Sequence, residues 1–404
     1  MTNQIRFAKS GVISRWIALS FVVCLALYFL GPGLTVAKDK EATIITFDVP
    51  GAFFTFPQDI NPEGVITGFY LGMLTVDDPS TFGLYGFIRY PDNTFTTYNG
   101  PDSSALGNLT EGINPAGEVA GSYFDVLGSC HGFAREPDGT FTTFDVSGAT
   151  NTGTAGACGT VPLSINNAGV ISGYWVDQGG VWHGFVREPQ GHHGFVREPQ
   201  GHHVFVREPQ GHITSFDAPD AFFGTIANNP DGINPEGTIS GYYIDAHFVY
   251  HGFVRDKHGE ITEFDAPGAG TAVGTGTVGS AINPDGAITG WYMDNDGVNH
   301  GYMRDKHGNF TTFDVTGAGT GNGQGTIAYG INPSGEITGQ YLDGNGVTHG
   351  FVRDKHGKIT TFDVQVKGTA QPTHPYVINP AGVITGQYLD ANGTAHGFLR
   401  IPKI

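Results

Sequence analysis

Charge is scarce in this chain, and positive charge scarcest. Only 14% of the 404 residues are Asp, Glu, Lys or Arg, with 20 basic residues against 38 acidic ones. A formal charge of -18 leaves no basic surface for phosphate backbones, which excludes nucleic acid and anionic lipid as partners. The three cysteines have no zinc-ligand spacing. There is no Ser-His-Asp motif, no phosphate-binding loop and no dinucleotide fingerprint, so the common nucleophilic and nucleotide chemistries are not written in the sequence. Little supports helices: glycine supplies 63 residues, and each one in a helix costs about 1 kcal/mol relative to Ala.

Long apolar runs are also missing, with one exception. Trp16 to Leu30 is apolar, follows Arg6, Lys9 and Arg15, and precedes Gly31-Pro32-Gly33 and the small residues before Ala37. A membrane span needs about 20 residues, and this run is shorter. Residues 1–37 are therefore expected to be a cleaved export signal, with an uncleaved anchor as the alternative. Val23 before Cys24 argues against lipidation. Removal of the signal gives a net charge of -21, a mature protein free of the membrane, and an extracellular, periplasmic or cell-surface location. Cys130 and Cys158 remain, and export invites a disulfide between them; two unpaired thiols are the alternative.

What is present is repetition. The phrase Ile-Asn, usually followed by Pro, any residue and Gly, begins at Ile60, Ile113, Ile165, Ile233, Ile282, Ile331 and Ile378. Its asparagines are 53, 52, 68, 49, 49 and 47 residues apart. A period near 50 marks a repeat architecture, whose units share one continuous core. In the fifth repeat four β-rich segments follow one another: Ala281-Ile282-Asn283, Ala287 to Met293, His300 to Arg304, and Phe310 to Asp314. Pro284-Asp285-Gly286, Asp296-Gly297 and His307-Gly308 separate them with turn residues.

Four short antiparallel strands per repeat match a propeller blade. The expected fold is all-β: a seven-bladed β-propeller over 38–404, as a monomer. The mature chain opens with a fourth-type strand at about 43–48 and ends with a blade, about 378–400, that lacks one. Pairing the two would close the ring and remove exposed sheet edges. An open β-solenoid is the alternative and would need capping repeats, which the sequence lacks. Residues 183–212 hold three near-copies of a ten-residue strand-turn unit, giving either a protruding hairpin or a six-stranded blade. The doublets His192-His193 and His202-His203 make a metal site the functional alternative there.

These repeats resemble the bacterial extracellular HAF repeats, whose core phrase is His-Ala-Phe. Here it reads His-Gly-Phe at His131, His183, His251, His349 and His396, with His300-Gly301-Tyr302 as a variant and Tyr85-Gly86-Phe87 as the least typical. The resemblance spans about 43–404. It implies export and repetition, and no activity or catalytic residue.

Pairing strands across the turns places each phrase histidine between two carboxylates. The expected rows are Asp125-His131-Asp145, Asp245-His251-Asp265, Asp294-His300-Asp314 and Asp343-His349-Asp363, with Asp390-His396 completed by Asp48. In the third repeat Asp177 joins His183, and the insertion is expected to make Asp217 face His203. Asp-His pairs are the material of acid-base catalysis or metal ligation. A feature repeated in every blade is better read as a hydrogen-bonded latch, since a catalytic site is built once. The arginines ending the third strands, Arg89 to Arg400, are each expected to form a structural ion pair with the acid that usually follows. Asp294-Asn295-Asp296-Gly297 is similar to the start of a calcium loop but lacks its downstream Glu, and a hairpin turn explains it; no cofactor is implied, with calcium or another divalent cation as the alternative.

Function should then lie where blades differ. The connections entering each blade, with the turns between second and third strands, form one rim. Phe53, Phe54, Phe56, Phe222, Phe223, Tyr329, His374 and Tyr376 are the candidate ligand residues, and Leu71 to Leu84 is a long excursion carrying Asp77-Asp78. Two functions remain: a binding or scaffold module for a glycan or protein, or a polysaccharide-cleaving lyase or hydrolase, the latter by analogy of fold alone. The enzyme needs one indispensable His, Tyr or Arg near the axis; the binder needs the loop aromatics and tolerates loss of any His.

Overall fold

The computed structural model describes residues 42–74, 82–101, 103–150, 159–189, 196–197, 203–204, 211–227 and 231–403. The expected leader, Asp77-Asp78, Cys158, and both histidine doublets except the backbone of His203 lie outside these residues. All regular structure described is β. Among the described residues no helix is long and apolar enough to cross a membrane.

The fifth repeat shows the plan. Gly276–Ile282, Ile288–Met293, Asn299–Arg304 and Phe310–Phe313 pair in sequence order as an antiparallel group. Its first strand begins at Gly276, earlier than the expected Ala281. Alternation sends Ile288 and Tyr302, both fully buried, to the inside. Two glycines let the strands and their neighbours close up. A Cβ on Gly290 would lie 2.1 Å from the Val278 carbonyl oxygen, and one on Gly301 would lie 2.7 Å from the Phe313 ring. The phrase His-Gly-Phe thus has a division of labour: a latch residue, a gap for the fourth-strand ring, and a core aromatic that is buried in every repeat (Phe87, Phe133, Phe185, Phe253, Tyr302, Phe351, Phe398).

The same four-stranded group recurs along the chain, and several groups join through single parallel bridges such as Tyr250 to Gly276. The last strands, Thr373–Ile378, Ile384–Leu389 and Ala395–Pro402, take their fourth partner from the start of the chain. Ala42–Phe47 runs antiparallel to Ala395–Pro402, from Ala42 opposite Pro402 to Phe47 opposite Gly397.

The Ile-Asn phrase has a structural purpose. Asn379 Oδ1 accepts hydrogen bonds from the N–H groups of Ala381 and Val383, both at 3.0 Å, which fixes its own turn. Its Nδ2 donates to the carbonyl of Asn61 at 3.2 Å, across 318 residues of sequence. Equivalent links run from Asn61 to Asn114, Asn114 to Asn166, Asn166 to Asn234, Asn283 to Asn332 and Asn332 to Asn379. Six of the seven phrases are therefore tied to the next repeat's phrase at the same level.

Two expectations need correction here. The third-strand arginines are engaged chiefly with aromatic rings. The Arg304 guanidinium lies 4.9 Å from the centre of the Phe264 ring on the preceding repeat's fourth strand, and the arrangement recurs from Arg89 over Phe47 to Arg400 over Phe362. The acid that follows caps its own turn instead: Asp305 Oδ1 accepts from the N–H groups of His307 and Asn309. Cation–ring contact holds a partly desolvated guanidinium without a buried carboxylate, and so costs less desolvation than an ion pair. The second correction concerns the insertion. Trp182–Glu188 pairs directly with His212–Phe216, in the register found elsewhere, Arg187 opposite Ile213 and Gly184 opposite Phe216. Val196–Arg197 and His203–Val204 pair only with each other. The described residues of the insertion thus form a separate two-stranded pair, and Asp217 meets His183 and not His203.

Candidate functional site

The latch is best seen in the fifth repeat. Asp294 Oδ1 accepts from the N–H groups of Asp296 and Val298, both at 2.9 Å, which builds the turn between second and third strands. Its Oδ2 lies 3.3 Å from His300 Nε2, and His300 Nδ1 lies 3.0 Å from Asp314. Burial pushes the Asp294 carboxyl up, but the N–H donors and His300 outweigh it and hold the group below its ordinary value. The calcium-like turn is explained by the same contacts, since its leading carboxylate is filled by backbone donors. Tyr292, not Asp294, is the residue directly opposite His300, and the two rings stack at 4.9 Å. The stacking partner was missed in the sequence, although an aromatic occupies that position in each repeat.

The rows recur. His131 meets Asp145 at 2.9 Å and Asp125 at 3.5 Å; His251 meets Asp265 at 3.0 Å and Asp245 at 3.7 Å. His349 meets Asp363 at 3.0 Å and Asp343 at 3.7 Å, and His183 meets Asp217 at 2.9 Å and Asp177 at 3.7 Å. His396 meets Asp390 at 3.8 Å and, from the opposite end of the chain, Asp48 at 2.9 Å. The first repeat has instead Tyr85 packed against Tyr70 at 5.6 Å. A neutral imidazole can donate to one carboxylate only, an imidazolium to both. Accordingly the hydrogen bond to Asp265 raises the pKa of His251 against desolvation, and for His349 the partners Asp363 and Asp343 outweigh a larger desolvation. In every row the His nitrogens face carboxylates of the same sheet, which suits a fastening.

The predicted aromatics fall into separate places. Phe53 and Phe222 are exposed, at 53% and 62%. Phe53 sits edge-on to Phe82 at 5.8 Å, while Phe54 and Phe56 are half-buried and Phe56 packs on Phe69 at 5.0 Å. Phe222 meets Phe223 at 4.9 Å, and Phe223 stacks on Phe248 at 3.8 Å. Phe248 was missed. It stands in a second-to-third-strand turn where Gly128, Gly180, Gly297, Gly346 and Gly393 stand in other repeats, and it adopts their left-handed backbone with φ of 61°. A large side chain at the one turn position that glycine otherwise fills was the signal in the sequence. Val126, Leu127 and Val273 are also exposed near this rim. Cys130, beside it, is disulfide-bonded.

Tyr329, Tyr376 and His374 lie apart from that cluster, on first strands. Those strands slip register by one residue, between Gly279 and Ala281 and at the equivalent point in five other repeats. The extra residue is Gln58, Glu111, Leu163, Ser280, Tyr329 or Tyr376. These identities differ from repeat to repeat. Tyr329 and Tyr376 meet edge-on at 6.0 Å. His374 Nδ1 lies 2.8 Å from Gln340 Oε1, its Nε2 is buried, and desolvation lowers its pKa to about 4. Glu111 retains some exposed surface, yet enclosure by protein pushes its carboxyl up to about 8. Burial also raises Asp59 to about 6, although the Ile113 and Ile60 N–H groups oppose it.

No known family matches this chain, and no curated protein does either. Solved structures do. The β-propeller domain of the Trilobed protease from Pyrococcus furiosus aligns at 9% identity with a TM-score of 0.47, covering 86% of this chain and 95% of that one. The BP39L lectin from Burkholderia pseudomallei aligns at 9% identity and 0.49, covering 88% and 99%. A puromycin hydrolase aligns at 12% identity and 0.50, covering 84% of this chain and 53% of that one. The chain is an all-β protein with propeller structures among its neighbours, and at these identities the likeness is one of fold alone.

Proposed function

We propose that the four-stranded groups are the blades of a closed seven-bladed propeller, sealed by Ala42–Phe47, and that this exported propeller is a binding or scaffold module whose ligand face is the aromatic rim. The ligand is a glycan or a protein, and no cofactor takes part. The pairing of Ala42–Phe47 with Ala395–Pro402 and the Asn379–Asn61 link support the closure. The repeated residues are consumed in holding blades together, which leaves the varying rim for recognition.

The observation that carries the reading is Phe248. A bulky residue held in the left-handed region costs on the order of 1–2 kcal/mol relative to glycine. That cost keeps a 39%-exposed ring against Phe223 and Phe222 at the surface. Strain retained at an exposed aromatic cluster is what a binding residue requires and a structural turn does not. Phe248→Gly should leave stability equal or higher by about 1 kcal/mol and abolish ligand capture on a glycan array or a peptide array. A marked loss of stability, with capture retained, would make Phe248 a packing residue and remove the rim as the ligand face.

A second reading, a polysaccharide-cleaving enzyme, is favoured by one feature only. Glu111, its carboxyl pushed up to about 8, holds a proton at neutral pH, as a general acid must. Product formation from polysaccharides, lost in Glu111→Gln, is its test.

A further inference from the structure

Charge is unevenly divided between the two edges of the sheets. The connections entering each repeat and the turns between second and third strands reach one edge, and the remaining turns reach the other. At the first edge the described residues include fourteen aspartates: the two of each of the six rows, with Asp220 and Asp296. Only one Lys or Arg, Lys367, lies there. Every other described Lys and Arg is at the opposite edge or on the hairpin that springs from it, where acids nearly match them in number. Asp220 and Asp296 are exposed, and Asp217, Asp265 and Asp314 keep about half of their side-chain surface in solvent (48%, 52% and 55%).

The same edge holds eight of the eleven large apolar residues exposed among the described residues. Half of those eight are aliphatic: Leu74, Val126, Leu127 and Val273. An aliphatic side chain offers no ring face to a sugar, but it packs against apolar side chains of a polypeptide. A rim of separated apolar patches within a negative field is complementary to a chain in which cations alternate with apolar groups.

We infer that this edge docks a cationic polypeptide segment, with Lys or Arg interleaved with apolar residues. The inference rests on the reading of the rim as the ligand face and names the class of its partner. Aspartates steer the segment and set its orientation, and Phe53, Phe222, Phe248 and the aliphatic residues receive its apolar side chains. The row aspartates serve twice, since the bonds that latch the blades leave their negative charge in place.

The test uses the full chain and four labelled probes, at pH 8. These are a peptide of alternating Lys and Leu, the same with Glu for Lys, the same with Ser for Leu, and a chitosan oligosaccharide. Fluorescence anisotropy should show binding of the Lys-Leu peptide, weakening about tenfold between 50 and 300 mM salt. The paired variants Asp220→Asn with Asp296→Asn, and Phe222→Ala with Val273→Ser, should each weaken it about fivefold or more. These positions are exposed, and thermal melts should confirm that both variants fold. A control pair on the opposite edge, Glu236→Gln with Asp285→Asn, should leave binding unchanged. Binding of the Glu-Leu peptide to the same degree, equal loss in the control pair, no binding of the Lys-Leu peptide, or binding of chitosan in its place would overturn the inference. A neutral ligand that binds and is lost in Phe248→Gly would overturn it too, while leaving the rim as the ligand face.

Discussion

Truncating Phe47 to Ala separates a closed ring from an open one. The Phe47 ring comes from the first described strand, yet its neighbours come from both ends of the chain. It fills the space over Gly397, where a Cβ would lie 2.5 Å from the ring. It packs on Phe87 at 6.5 Å and on Phe95 at 6.3 Å, beneath the Arg89 guanidinium at 4.8 Å. Phe144 occupies the same place within the chain: over Gly132, against Phe185 at 6.1 Å, beneath Arg187 at 4.8 Å. Both side chains are buried, at 6% and 1% exposure. Removing a buried phenyl ring costs about 3–5 kcal/mol, and the lost cation–ring contact adds about 0.5–1 kcal/mol. If the ring is sealed, the two substitutions should cost the same to within about 1 kcal/mol, read as midpoint shifts in urea denaturation. A terminal strand that only rests on the sheet would fray at little cost. Phe47→Ala below about 1 kcal/mol, beside Phe144→Ala above about 3 kcal/mol, would refute the reasoning.

Two further outcomes follow from the latch and the insertion. His349 has a raised pKa, so its contribution is fully present below its ordinary value of 6.5 and is lost as pH rises through the folded value. Asp343 is lowered, its backbone donors outweighing burial, so its contribution is present above 3.8 and is lost as pH falls through the folded value. The row is therefore strongest between about pH 4 and 6.5, and His349→Gln should lower the melting temperature more at pH 5.5 than at pH 8.5; an equal loss at both would contradict the ionic latch. Deleting residues 190–209 leaves the turn Glu188-Pro189-Gln210-Gly211-His212 between Arg187 and Ile213, the length found at Glu136 to Thr140. Its stability should change by less than about 0.5 kcal/mol, since the His183–Asp217 latch is untouched; a large loss would mean that the hairpin packs on the sheet.

Much of the fold was legible because each strand has a residue that can play only one part. Ile-Asn, Thr-Gly and His-Gly-Phe recur with the turns between them, so strand order and the carboxylate partners of most histidines could be placed by pairing alone. The arginine contacts were not legible. Pairing within one repeat says nothing about the ring that the preceding repeat lays beneath the guanidinium. The third row was misplaced for a different reason: three near-identical copies leave sequence pairing ambiguous, and the group keeps the register in which Ile213 meets Arg187. The candidate site was legible in part. Paired phenylalanines announced Phe53 and Phe222, but exposure is decided by packing, which buried Phe54, Phe56 and Phe223 by half. Phe248 was overlooked because its signal lies in a turn, as a departure from the glycine of the other repeats, and not in the strand pattern. Tyr329, Tyr376 and Glu111 owe their places to a one-residue bulge, which the strand pattern conceals.

Hydrogen exchange at the amides of Ala42–Phe47 tests the closure most directly. Paired with Ala395–Pro402 in a sealed propeller, the inward-bonded amides should be protected as well as those of Phe310–Phe313, the equivalent strand in mid-chain. Exchange at the rate of an unstructured segment, with Phe310–Phe313 still protected, would show that the two ends are not joined.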